Sequence, residues 1–122
     1  MDPVLAYHDL IEAIRSATGA SSPMLHVHFG MGIFLLAQLL LGSRRGSLAA
    51  LFIVLEMELL NEAMNRLFHG SWRWADTMHD IVLTLLWPGA CVAVSKIRRW
   101  RWHQRERRRK AAQHAPAPLL RA

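Results

Sequence analysis

The chain has 122 residues, room for one domain, and 52% of them are apolar with a positive mean hydropathy, which sets it apart from a small soluble protein. Its single cysteine, Cys91, excludes an intramolecular disulfide and any cysteine-built metal set. The net charge of +6 is segregated: residues 96–122 carry ten of the fifteen Lys and Arg against one acid (+9), and residues 1–95 sum to −3.

The first segment, Asp2 to Ala17, has Pro3 placed for a first helical turn. Val4, Leu5, Tyr7, Leu10, Ile11 and Ile14 form a broad apolar side, and Asp9, Glu12, Arg15 and Ser16 take the other. It is too short and too charged to span, so an amphipathic helix lying in the membrane interface is predicted over 1–22, together with the turn that follows it. Asp2 stands where a signal peptide would have a basic region, and the first apolar run begins only near Met24, so no signal peptide is expected.

Three apolar runs follow, at about 24–41, 47–67 and 76–95, against the requirement of about 20 apolar residues for a ~30 Å hydrocarbon core. The first reaches that length if His26 and His28 sit near the headgroups, and Gly30 and Gly32 permit close helix contact. The second starts as plain membrane sequence and then carries Glu56, Glu58, Asn61, Glu62, Asn65 and Arg66. A turn holding Trp72, Arg73 and Trp74 leads to the third, for which Asp76 is the expected N-cap and Pro88-Gly89 an expected kink. The fold class predicted is an all-α membrane protein with three transmembrane helices over 23–95, an N-terminal amphipathic helix, and a basic, partly disordered tail over 96–122. Arg44, Arg45 and the tail lie on one side, which the positive-inside rule makes cytoplasmic, leaving the N-terminus outside. The tail, with Trp100 and Trp102 among its cations, is expected to sit on anionic lipid, and nucleic acid is not expected as its partner.

The stretch Glu56–Asp80 holds five of the nine acids. At ~100° per residue, Glu58, Asn61, Glu62 and Asn65 share a helix face bordered by Arg66, while Glu56 is turned away. Asp76, His79 and Asp80, continued by Thr84 and Trp87, are expected to form the stripe facing it, with His26 or His28 closing a third side. Three readings suit these residue types. In the structural one, Glu58 or Glu62 pairs with Arg66 or Arg73 and the asparagines join helices. In the second, a polar pocket binds a lipid head group or moves protons. Its candidate catalytic groups are Glu58, Glu62, Asp76, His79 and Asp80, and its candidate ligand-binding groups are His26, His28, Asn61, Asn65, Arg66 and Arg73. In the third, Glu62, Asp76, His79 and Asp80 hold a divalent ion, although no ligand spacing here is diagnostic of a metal site. The residues name no reaction and no cofactor, and a histidine within a span can also ligate a pigment or haem.

The order of these features resembles the VanZ-like family of small membrane proteins over residues 24–95. It consists of a histidine near the start of one span, an acidic helix ending at Asn65, a short turn, Asp76-x-x-x-Asp80 opening the last span, and a later Pro-Gly. The resemblance implies that Glu58 or Glu62 matches the family's middle-helix acid and Asp76 the aspartate opening its last span. His79-Asp80 and Thr84 depart from the Asn and Gly expected there. It implies an envelope role at a bacterial inner membrane, in a family associated with teicoplanin resistance. Three spans bury little surface, so a homo-oligomer or membership of a larger membrane complex is also expected, as an accessory subunit if the polar cluster serves packing alone.

Overall fold

The computed structural model describes residues 2–43 and 46–114 and contains four helices: α1 (Pro3–Thr18), α2 (Ser22–Leu40), α3 (Leu48–His69) and α4 (Trp74–Gln113). Local chemistry sets most of the ends. The Asp2 carboxylate accepts from the Val4 N–H at 2.9 Å, with Pro3 in the first turn behind it. Gly19 and Gly70 close α1 and α3 in the left-handed region at φ 66°, each donating its N–H back to an arginine carbonyl.

Helices α2, α3 and α4 pack on one another, and α1 lies against α3. The apolar core is small: Phe34 and Ala37 from α2, Ala50 and Val54 from α3, Val92 from α4. Leu35, Leu36, Leu39, Phe52, Leu60, Val82, Leu86 and Trp87 all point outward. The buried polar residues Glu58, Glu62, Arg66, Thr77 and Thr84 point inward. A soluble domain sorts its residues the other way. Helices α2 and α4 are long and apolar enough to cross a membrane, and only 17% of either spanning window is covered by the rest of the chain. A core helix of a soluble protein would be mostly covered.

Three expectations need correction. Of the three predicted spans, two meet the length and composition required; α3 does not, because Glu56, Glu58, Glu62 and Arg66 interrupt its apolar run. Asp76 is not the N-cap of the last helix: Arg73 holds that position and Asp76 falls in the first turn. That helix does not stop at Ser95 but runs unbroken through Pro88 to Gln113, 40 residues in all, so the basic tail is helical to that point. The expected disorder at the end of the tail falls on residues 115–122, and the basic loop on Arg44 and Arg45, both outside the described residues.

Two glycines bring backbones together. A Cβ on Gly30 would lie 2.2 Å from the Thr84 carbonyl oxygen, so α2 meets α4 where no side chain fits. Gly46 packs on Cys91 in the same way and donates its N–H to Ser95 Oγ at 3.1 Å. Gly32, expected to share this role, has open space around it.

Candidate functional site

One face of α3 presents Glu58, Glu62 and Arg66, each four residues apart and therefore stacked along the helix. All three are buried, Glu62 at 1% exposure. Across from them α4 presents Thr77, Asp80 and Thr84, and α2 contributes His26.

The groups form two adjoining sets. Nearer the α3–α4 turn, Arg66 Nη2 donates to Glu62 Oε2 at 3.0 Å and to Thr77 Oγ1 at 2.7 Å, and it reaches the Arg73 carbonyl at 3.3 Å. The Thr77 hydroxyl donates in turn to Glu62 Oε2 at 2.7 Å. The Trp72 ring lies 5.9 Å from the guanidinium, within cation–π range. Two helical turns deeper, Thr84 Oγ1 donates to Glu58 Oε2 at 2.9 Å. The imidazole of His26 stands between two carboxylates, Nδ1 at 3.2 Å from Glu58 Oε1 and Nε2 at 3.5 Å from Asp80 Oδ2.

Charge decides what each set can do. Glu62 and Arg66 neutralise each other, as a buried pair must. Glu58 and Asp80 both face His26, and Asp80 Oδ1 also lies 3.5 Å from Nδ1 of the exposed His79, so His26 is the one imidazole within reach of Glu58 among the described residues. Glu58 Oε1 approaches Nδ1 without the angle of a hydrogen bond, and it is buried with no hydrogen-bond donor; Glu62 Oε1 and Arg66 Nε are likewise unsatisfied. Buried polar atoms left this way are expensive. The lower set therefore has spare accepting capacity.

That capacity borders a cavity. Helix α1 leans on α3 through the Tyr7 hydroxyl, which donates to Asn61 Oδ1, and through His8 stacked on Phe68 at 3.8 Å between ring centres. Between α1, α2 and α3 this leaves a cleft of about 430 Å³, within the usual range for a small-ligand site. Val4, Ile11, Ile14, Leu25, Phe29 and Ile33 make apolar walls, and its polar lining includes His26, Glu58, Asn61 and Thr84, with Glu12, Arg15 and Asn65 also along it. Burial raises the Tyr7 hydroxyl pKa above its ordinary value, and the carboxylates of Glu58 and then Glu62 add to the effect, so Tyr7 remains a neutral donor at physiological pH.

Of the residues singled out in the sequence, Glu58, Glu62, Asp80, His26, Asn61 and Arg66 are brought together, with Asn65 lining the same cleft. Arg66 is central to the face rather than at its border. The side chains of five others are not part of it. Asp76 pairs at 3.1 Å with Arg73 on the surface, His79 is 61% exposed, and exposed His28 spends Nδ1 on the Met24 carbonyl. Trp87 points outward. Of the four residues considered for a divalent ion, His79 and Asp80 lie 3.5 Å apart while Glu62 pairs with Arg66 and Asp76 with Arg73, and among the described residues no group of three or more His, Cys, Asp or Glu side chains could hold a metal. Each nitrogen of His26 faces a carboxylate, leaving neither free for a haem iron or a pigment while those pairs persist.

Two participants escaped the sequence reading. Thr77 carried a signal, since Thr77, Asp80, Thr84 and Pro88 repeat at helical spacing. Tyr7 carried none beyond its place on the apolar side of α1. No protein-family model, curated protein or solved structure matches this chain.

Proposed function

We propose that the chain is a membrane protein whose α1–α2–α3 cleft binds a lipid-like amphiphile, its polar end on Asn61, Glu58 and His26 and its hydrocarbon part on the walls from α1 and α2. The observation carrying this reading is an apolar-walled cavity that ends on a buried carboxylate with an unsatisfied oxygen, Glu58 Oε1. A lipid-linked or head-group donor at that end of the cleft would lie beside the Glu58 carboxylate, whose Oε1 is itself buried. The reading names a binding site and assigns no reaction.

Connectivity supports the membrane setting. If α2 and α4 both cross, α3 must return between them, and its 22 residues span about 33 Å at 1.5 Å each. Each ionisable residue in a span costs ~2.5–3.5 kcal/mol on insertion scales. Turning Glu58, Glu62 and Arg66 inward onto partners offsets that cost and leaves Leu59, Leu60 and Phe52 facing lipid. Arg44, Arg45 and the cations after Ser95 support a cytoplasmic C-terminal side by the positive-inside rule, an orientation in which the cleft opens toward the exterior. Lys96, Arg98 and Arg99 then meet the anionic headgroups of the inner leaflet. The likeness to the VanZ-like family, which rests on the order of sequence motifs, agrees with a bacterial inner membrane and an envelope role.

A second reading has its own support. Glu56 is exposed on α3, away from the cluster, in a stretch that this topology puts against lipid. A carboxylate there calls for a second copy or another subunit, which is what an accessory subunit of a larger assembly would supply.

Native mass spectrometry of the protein extracted in mild detergent tests the binding reading. The parent is expected to retain one amphiphile per chain, and Ile11→Trp, which fills the cleft, to lose it. A parent without any adduct refutes the proposal.

A further inference from the structure

The continuity of α4 changes what its basic end can reach. After Ser95, whose side chain still packs under Gly46, the helix runs on through Gln113 with no break. At about 1.5 Å per residue, Arg105 to Lys110 stand about 15–22 Å beyond Ser95 along the axis. A headgroup layer adds only about 5–7 Å to each side of the hydrocarbon core. The distal cations are thus one to two Debye lengths, at about 8 Å each, past the lipid surface and largely screened from it. Anionic lipid accounts for Lys96, Arg98 and Arg99 but not for Arg105, Arg107, Arg108, Arg109 and Lys110.

The distal cations also differ in arrangement. At ~100° per residue, Arg105, Arg107, Arg108, Arg109 and Lys110 fall at about 0°, 200°, 300°, 40° and 140°, which encircles the helix. All are exposed, and the one acid among them, Glu106, takes up Lys110 at 3.3 Å. A flat bilayer or an acidic protein face meets one side of a helix. A helix with cations on every side matches a groove with anions on both flanks. The major groove of B-form DNA, about 12 Å wide, admits an α-helix between two phosphate strands, whereas the deep, narrow groove of A-form RNA does not.

We propose that the distal turns of α4, from Arg105 to Lys110, bind duplex DNA through its phosphates, without sequence preference, and so tether DNA to the cytoplasmic face of the membrane. The tail was expected to lie on lipid and to have no nucleic-acid partner. The unbroken helix separates its two halves and gives the second half a different partner. This rests on α4 crossing the bilayer with its C-terminal end in the cytoplasm, and not on what the cleft holds.

The full chain in nanodiscs of neutral phosphatidylcholine, titrated with a fluorescent 20-base-pair duplex over a salt series, tests it. The logarithm of affinity is expected to fall with the logarithm of salt at a slope of about −3.6 to −4.5, for four or five phosphates contacted. Replacing the five distal cations by Gln is expected to weaken binding at least about tenfold, and Lys96, Arg98 and Arg99→Gln less than about threefold. Three results would each overturn the proposal: a distal variant that binds like the parent, competition by poly-glutamate as effective as by unlabelled duplex, or loss of DNA binding once phosphatidylglycerol is added to the disc. The last would mean that the tail lies on lipid.

Discussion

His26 and Glu58 join α2 to α3 at 3.2 Å, and the same imidazole turns its other nitrogen to Asp80 on α4. One ring thereby ties three helices at the polar end of the cleft. Removing it leaves two carboxylates at least four-fifths buried, with Thr84 as the only hydroxyl still bonded to Glu58. His26→Ala is expected to destabilise the detergent-solubilised protein by about 3–5 kcal/mol, the usual cost of breaking a buried pair from one side. Adding Glu58→Gln to that variant should restore part of the loss, because the stranded charge is then gone. Thermal unfolding followed by circular dichroism reads both. Additive losses in the double variant would show that the pair is not coupled.

Glu62 and Arg66 give a sharper contrast between a broken pair and an absent one. Arg66→Leu strands the least exposed carboxylate of the chain and is expected to cost about 3–5 kcal/mol. Glu62→Leu combined with Arg66→Leu is expected to be close to neutral, since two apolar residues replace a pair that had to be desolvated. The yield of folded protein in the membrane fraction measures the difference.

At Gly30 the helices meet backbone to backbone, so Gly30→Ala forces α2 away from Thr84 and is expected to cost about 1–3 kcal/mol by overpacking. Gly32→Ala, two residues on with nothing near it, is expected to be neutral or slightly stabilising. Melting temperatures of the two variants in one detergent decide it.

The Tyr7–Asn61 bond holds α1 over the cleft. Tyr7→Phe is expected to cost about 1 kcal/mol, the ordinary value of one hydrogen bond. A folded-state pKa raised above the unfolded 10.0 gives a contribution fully present below that value and lost as pH rises through the folded one. The difference between Tyr7→Phe and the parent should therefore be flat from pH 6 to 9. A difference that already changes across neutral pH contradicts the assignment.

Topology is tested by labelling. In a Cys91→Ala background, Ser71→Cys is expected to react with a membrane-impermeant reagent in intact cells, and Ala111→Cys to react only after lysis. The reverse pattern overturns the orientation and, with it, the DNA tether.

The sequence carried the helices well because apolar run length and glycine placement are local properties. It also carried the inward face of α3, since Glu58, Asn61, Glu62 and Asn65 recur at helical spacing whatever packs on them. The partner face of α4 was harder to read. A helix turns ~100° with each residue, so a choice between Asp76 and Thr77 decides which side faces inward. Charge drew the reading to Asp76, while packing buries Thr77 and sends Asp76 to Arg73 at the surface. His26 and His28 could be told apart as pointing differently, but only the helix–helix contact at Gly30 selects His26. The tail was read from composition, which speaks of charge and not of continuity. Its arginines, lysines and glutamines are good helix formers, and α4 simply continues through them. The seat of α1 on α3 depends on Tyr7 finding Asn61, 54 residues away, and no pattern within either segment announces that bond.

The amphiphile site can be tested most directly by where a photoactivatable fatty alcohol attaches to the protein in neutral lipid. The account predicts cross-links to Phe29, Met57 and Met64, which line the cleft, and their loss in Ile11→Trp. Cross-links confined to Leu35, Leu36 and Leu39 on the outward side of α2, unchanged in that variant, would contradict it.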